Sequence, residues 1–305
     1  MIAITGATGF LGSHLLQQAG QGGVDVCAVQ RASTTRRDVE ASCRIADLTD
    51  AAALRAAFAG CDTVIANAAL APGWSRPAPE QFTSVNVDGV ENTVRAAAAA
   101  GVRRVVLVSS IAVYDTKLNT MIDERHPTRD PDSTAFTWSA LTTNPHYTRS
   151  KAAGERLART LCPQLGVELV IVRPGPLYGP GDLKATARYG SWNRRPITLA
   201  PTVPLPHAHA ADVARAILNA ATQRDVEGRT YNLCGDPVSP YGVLRAWRDV
   251  RGAGGLTLPV PVPISIRFND DDARREIGFA PRSIHEGLVD CVAWYESLQD
   301  RSRAT

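Results

Sequence analysis

The stretch Ile2-Ala3-Ile4-Thr5-Gly6-Ala7-Thr8-Gly9-Phe10-Leu11-Gly12-Ser13-His14-Leu15-Leu16 decides how the chain is read. Ile2 to Ile4 reads as a short buried strand, and Ser13 to Ala19 reads as a helix. Between them, glycines at 6, 9 and 12 punctuate a turn with the spacing Gly-x-x-Gly-x-x-Gly. A strand, a glycine-rich turn and a helix open a nucleotide-binding βαβ unit. Gly6 allows the tight turn, and Gly9 lets backbone N–H groups approach a pyrophosphate at the positive end of the helix. Gly12 lets helix and strand pack closely. The candidate dinucleotide contacts here are Gly6, Thr8, Gly9, Phe10, Leu11 and Gly12.

Moving outward, Val24 to Val29 reads as the second strand and is followed by Gln30-Arg31, with Arg36 and Arg37 nearby. A carboxylate at that strand end favours NAD by bonding the ribose hydroxyls, whereas a guanidinium can pair with a 2′-phosphate. The expectation is a preference for NADP(H), read by Arg31, with NAD(H) possible; otherwise Arg31 stacks on adenine or faces water. Asp47 and Leu48 close a third strand beside the adenine position, and Asp50 caps a helix over Ala51 to Phe58. Thr63 to Ala66 is a strand ending in Asn67-Ala68-Ala69, small enough for the chain to pass close to a cofactor ribose. Glu80 to Ala100 reads as one long helix containing Asn86, ended by Gly101.

Val105 to Val108 is apolar enough for a central parallel strand, and it ends in Ser109-Ser110. Ligands gather at the carboxyl ends of such strands, so a serine hydroxyl there can hold a substrate oxygen. Tyr147 and Lys151 lie four residues apart, one turn apart on a helix face. An ammonium beside a phenol favours the phenolate, which can then pass a proton to or from an alcohol or ketone oxygen.

These segments occur in one order along the chain: Thr5 to Gly12, Asp47-Leu48, Asn67-Ala68-Ala69, Ser109-Ser110-Ile111-Ala112-Val113-Tyr114 and Tyr147-x-x-x-Lys151. Together they resemble the extended short-chain dehydrogenase/reductase superfamily. The resemblance implies an α/β fold, a Rossmann-type doubly wound parallel sheet with a smaller, interleaved C-terminal substrate-binding lobe. It implies a catalytic set in which Ser110 orients the substrate oxygen, Tyr147 is the general acid/base, and Lys151 bonds the nicotinamide ribose. The turn Arg173-Pro174-Gly175-Pro176 looks like the family's Arg-Pro turn, with Pro174 beside the nicotinamide. Residues 1–172 and 208–233 are expected to bind the dinucleotide, and residues 173–207 and 234–305 the substrate. The resemblance also implies a homodimer, paired through Glu80 to Ala100 and Lys151 to Cys162.

Three departures bear on substrate. Pro176 stands where sugar-nucleotide members commonly carry Asn, and Leu205 where they commonly carry Arg. The stretch Ile197 to Leu205 is mainly apolar and proline-rich, and a diphosphate needs cationic or N–H partners once desolvated. The pair after Ser110 is Ile111-Ala112, without the acidic pair of the sugar 4,6-dehydratase branch. These features lead to the expectation of a ketoreductase or alcohol dehydrogenase acting on an apolar or aromatic small molecule. A nucleotide-sugar epimerase holding NAD tightly is the alternative, and a non-catalytic NADP(H)-binding protein ranks last because the catalytic set is intact. Arg188, Arg194 and Arg195 are possible replacements for the missing charge, and Phe136 and Trp138 possible loop contacts.

Composition excludes other classes. A net charge of +3 over 305 residues is too small and too dispersed for a nucleic-acid partner. No targeting run precedes the first strand and no apolar stretch reaches membrane-span length, so a cytoplasmic protein is expected. The six cysteines lack Cys-x-x-Cys spacing and read as buried thiols. His207 and His209 alternate along an extended segment and read as structural; no metal is expected.

Overall fold

The computed structural model describes residues 1–34, 42–71, 77–115, 119–133, 144–182, 189–192, 195–252 and 254–303. Seven strands form one sheet: β1 (Ile2–Thr5), β2 (Val26–Gln30), β3 (Ser42–Ile45), β4 (Thr63–Ala66), β5 (Arg104–Val108), β6 (Glu168–Pro174) and β7 (Thr230–Leu233). Their spatial order is β7-β6-β5-β4-β1-β2-β3, and every neighbouring pair is parallel. The direction of winding reverses between β1 and β4, which opens a crevice at their carboxyl ends.

β1 and β5 are buried at every residue, as parallel strands covered on both faces are, and are apolar apart from Thr5 and Arg104 at their ends. Helices α1 (Phe10–Gln21), α2 (Ala51–Phe58), α3 (Gly89–Ala99), α4 (Pro145–Gln164) and α5 (Ala210–Thr222) supply the covering layers. Leu11, Leu15 and Ala19 of α1 share a core with Val213, Ala214 and Ile217 of α5 on one face. Leu54 and Phe58 of α2, Val90 and Val94 of α3, and Ala158 and Leu161 of α4 fill the other. Burying each such leucine or phenylalanine contributes roughly 1.5–3 kcal/mol. At the opposite end of β5, the buried Arg104 bonds Glu168 of β6 at 2.8 Å and the Ala220 and Gln223 carbonyl oxygens at the end of α5.

The expected helix over 80–100 is not continuous. A short helix, Pro79–Thr83, passes through a π-helical turn, Ser84–Asp88, before α3 begins. Buried Asn86 sits in that wide turn, accepts from Leu70 N at 2.8 Å, and donates to Leu70 O and Ser150 Oγ at 3.0 Å. The widened turn points the Asn86 side chain toward Leu70 and Ser150.

The smaller part is built from α6 (Pro240–Arg251), α7 (Asp271–Glu276), α8 (Ile284–Arg303) and two-stranded pairs. Val243 and Trp247 of α6 pack against Leu288, Cys291 and Val292 of α8 and against Tyr178. Strand Ile197–Pro201 pairs in parallel with Leu256–Val260 and turns Ile197 and Leu199 to solvent, 60% and 68% exposed. Five of the six cysteines are buried, but Cys43 is exposed at the sheet edge, so the expectation of buried thiols fails there. Among the described residues, no helix is long and apolar enough to cross a membrane.

Candidate active site

The glycine turn is shaped by close backbone approach. Gly6 adopts φ +64°, and a side chain there would meet Ala68 Cα at 2.7 Å. A Cβ on Gly12 would overlap the Gly6 carbonyl oxygen and press Ala7 at 2.8 Å. Gly9 precedes α1 without a side-chain cap, so the first N–H groups of the helix face the turn uncovered. That cradle suits a pyrophosphate, and no larger residue at 6 or 12 would leave it intact.

A cavity of about 1000 Å³ runs over this turn and across the carboxyl ends of the sheet. It brings together Gly6, Thr8, Gly9, Phe10, Leu11, Arg31, Asp47, Leu48, Asn67, Ala68, Ala69, Ser110, Tyr147, Lys151 and Pro174. Gly12 packs behind the wall, against the turn. Beyond Tyr147 the wall continues through Leu70, Ile111, Pro176, Tyr178, Leu205, His207 and Phe268. This volume is at the upper end for small-molecule sites, and the elongated wall leaves room for a second ligand beside a dinucleotide.

At the adenosine end, Asp47 accepts from Thr49 N and Oγ1 at 2.9 and 2.8 Å. Those two bonds, with a smaller contribution from the Arg31 guanidinium, hold its carboxyl below the ordinary range. Arg31 therefore sits in the field of a carboxylate. Gln30 is buried and bonds Cys43 Sγ at 3.1 Å, so the last residue of β2 is committed to the sheet. Asp50 caps α2, accepting from Ala53 N at 2.9 Å.

Asn144 opens α4 by accepting from His146 N, with Pro145 at the first helical position. The helix then places Tyr147 and Lys151 one turn apart on the cavity wall. Ser110 lines the same wall, and its hydroxyl accepts from Ala112 N at 3.2 Å. Burial pushes the Tyr147 phenol up, and the nearby Ser110 side chain pulls the other way. Lys151 Nζ donates to the Val108 carbonyl oxygen at 2.6 Å. Burial pushes its ammonium down to about 8, opposed by Glu155. Such an arrangement can move a proton at an alcohol or ketone oxygen held between Ser110 and Tyr147.

Sequence reasoning missed a buried polar group beneath this set. Glu155 accepts from Ser109 Oγ at 2.8 Å and from Arg173 Nε at 3.1 Å, and it pairs with Arg173 Nη2. Arg173 lies 4.5 Å over the Tyr114 ring, whose hydroxyl donates to Asn232 Oδ1 at 2.7 Å. The spacing of Glu155, one turn after Lys151, was the available signal. His207 Nδ1 faces the Leu205 carbonyl oxygen at 3.0 Å, and His209 accepts from Ala211 N to cap α5. Among the described residues, no three His, Cys, Asp or Glu side chains gather as a metal site. Arg36, Arg37, Phe136, Trp138, Arg188 and Arg194 lie outside the described residues, and Arg195 is exposed.

The parallel sheet, its glycine turn and the cavity they share define an oxidoreductase of the extended short-chain dehydrogenase/reductase superfamily. The chain belongs to the NAD dependent epimerase/dehydratase family, whose model matches residues 2–234. It is 30% identical over 223 residues to a ceramide reductase of Caulobacter vibrioides, covering 72% of this chain and 60% of that protein. It is 31% identical over 196 residues to a dTDP-4-dehydro-6-deoxy-D-allose reductase of Streptomyces sp, covering 59% of this chain and 57% of that one. Among solved structures it resembles MoeE5, crystallised with UDP-glucose and NAD, at 26% identity and a TM-score of 0.77. That likeness covers 98% of this chain and 99% of MoeE5.

Two expectations are corrected by the likeness to MoeE5. The first is the NADP(H) preference. It rested on Gln30-Arg31 standing where an acidic residue would favour NAD, whereas Arg31 lies near the Asp47 carboxylate and the similar MoeE5 was crystallised with NAD. The second is an apolar or aromatic carbonyl substrate for a ketoreductase. It rested on the stretch Ile197 to Leu205, yet Ile197 and Leu199 face solvent while Leu205 alone of that stretch joins the cavity wall.

Proposed function

We propose that this chain is an NAD(H)-dependent oxidoreductase of the epimerase type acting on a nucleotide sugar. The observation that carries the reading is the placement of Ser110, Tyr147 and Lys151 on one cavity wall together with the glycine turn. The nucleotide-sugar part is supported by the overall likeness to MoeE5, whose ligands are UDP-glucose and NAD. The missing amide at Pro176 and the missing cation at Leu205 do not oppose it, since backbone N–H groups can also serve a diphosphate.

Bound NAD would lie against Gly6 to Leu11, Asp47 and Asn67 to Ala69, and it supplies a two-electron hydride acceptor and donor. Tyr147 takes the proton from one sugar hydroxyl as its carbon is oxidised and returns it on reduction. Ser110 holds that oxygen and keeps it aligned with the phenol. Lys151 holds the nicotinamide ribose. With the hydride both taken from and returned to that carbon, inversion there would carry no net redox change. In this reading residues 1–172 and 208–233 carry the cofactor and residues 173–207 and 234–305 the sugar nucleotide, in a cytoplasmic homodimer.

The test is to purify the protein without added cofactor, denature it, and identify the dinucleotide released. NAD near one equivalent, together with epimerisation of a UDP- or dTDP-sugar by NMR without net NADH formation, is expected. Release of NADP, or no turnover across nucleotide sugars, would overturn the proposal.

A further inference from the structure

Glu155 is buried at the meeting point of three elements that end at the cavity. Its own helix α4 carries Tyr147 and Lys151. Ser109, the neighbour of Ser110 just past β5, donates to its Oε2 at 2.8 Å. Arg173, the residue before Pro174 in β6, donates through Nε to the same oxygen and through Nη2 to the other. Arg159, one turn further along α4, adds a bond to Oε1 at 3.1 Å. Burial works to raise the Glu155 carboxyl, and Arg173, Arg159 and Ser109 together outweigh it, so the group stays charged. A carboxylate with this many donors is fixed in place.

We propose that Glu155 is a positioning residue for the reaction: one helical turn beyond Lys151, its clamped carboxylate holds the buried Lys151 side chain in its ammonium form. The function rests on the reading above, but the charge relation does not. Lys151 is 7% exposed. It has lost most of the water that would stabilise its charge, and the Val108 carbonyl oxygen restores only part of it. The fixed negative charge is Glu155, so its removal leaves Lys151 neutral over more of the working pH range. Facing the pair are Tyr147 and Arg159 from α4, Ser109 and Ser110 after β5, and Arg173 from β6, itself stacked on Tyr114.

The test reads Lys151 directly. Competitive acetylation with acetic anhydride across pH, quantified on the Lys151 peptide by mass spectrometry, titrates its amine in the purified protein at matched dinucleotide occupancy. Glu155→Gln should raise the acetylation rate below pH 7 by at least tenfold. Ser109→Ala, which keeps the carboxylate, should leave it within about twofold. An unchanged rate in Glu155→Gln overturns the proposal, as does an equal rise in both variants, which would mark a packing effect. If Glu155→Gln fails to fold, Glu155→Asp decides, since withdrawing the charge by one methylene should raise the rate severalfold. With a nucleotide-sugar substrate, Glu155→Gln should also move the alkaline limb of turnover at least one pH unit lower, with KM within threefold. A wild-type protein without such turnover would remove the functional reading and leave the acetylation result to judge Glu155.

Discussion

Lys151 on α4 donates from Nζ to the carbonyl oxygen of Val108, the last residue of β5, at 2.6 Å. This bond ties the helix that carries Tyr147 to the strand end that carries Ser110, and it does so with a cation taken out of water. Folding lowers the Lys151 pKa from 10.5 to about 8, so between those values the unfolded chain binds more protons than the folded one. Stability from this group therefore rises by about 3 kcal/mol as pH rises from 8 to 10.5, and as pH falls that gain is lost across the same window and is gone by pH 8. Lys151→Met should lack that rise in urea unfolding series at pH 8 and 10.5 compared with wild type. It should also lose turnover by at least about 100-fold at pH 7. An identical stability slope in the variant would show that Lys151 is not buried as a cation.

In the proposed reaction Tyr147 moves the proton, and it lines the cavity wall beside Ser110. Tyr147→Phe removes that oxygen and keeps the ring, which packs edge-on to Phe82 with centroids 6.5 Å apart. Turnover should fall by roughly 10²–10⁴-fold, the usual worth of a positioned acid/base. Dinucleotide content should stay within a factor of two of wild type. Retention of most activity in Tyr147→Phe would sink the assignment of the proton-transfer role.

The glycine turn and the tyrosine–lysine helix were legible because each is a local pattern: three glycines at fixed spacing, or two side chains one turn apart. The strand reading was legible for the same reason, since β1 and β5 are buried on both faces and show unbroken apolar runs. What could not be read depends on pairings distant in sequence. Arg173 meets Glu155 across 18 residues, and the offset of Arg31 by Asp47 needs β2 and the turn after β3 side by side. The apolar stretch from Ile197 misled for a related reason. Its facing is set by pairing with Leu256–Val260, and that pairing turns Ile197 and Leu199 outward instead of into the cavity.

Gly12 tests the cradle separately from the chemistry. A methyl there would collide with the Gly6 carbonyl oxygen and with Ala7, both backbone and unable to retreat without opening the turn. Gly12→Ala should cost about 1–3 kcal/mol of stability, seen as a fall of several degrees in Tm. It should also reduce the NAD recovered from the purified protein by at least fivefold. A variant with wild-type Tm and full NAD content would mean that the turn is not held as tightly as these distances imply.

His209 supplies a pH dependence remote from the proposed chemistry. Its ring is buried between Tyr178 and His14, with centroids 5.2 and 6.1 Å away, and its Nδ1 accepts from Ala211 N at the start of α5. Burial, aided by the Arg282 cation and opposed by Asp212 and Asp290, pushes the imidazole from 6.5 down to about 4. The folded pKa is the lower one, so the unfolded chain takes up the proton first as pH falls. Stability from this group is whole above pH 6.5 and is lost progressively down to pH 4, by about 3 kcal/mol. Asparagine can still accept the Ala211 N–H as a cap while carrying no titrating group. His209→Asn should therefore show a shallower fall in unfolding free energy between pH 6.5 and 4, measured by urea titration at each pH. Equal slopes in wild type and variant would place the acid sensitivity on another group, with His14 and His207, both also lowered by burial, the next to substitute.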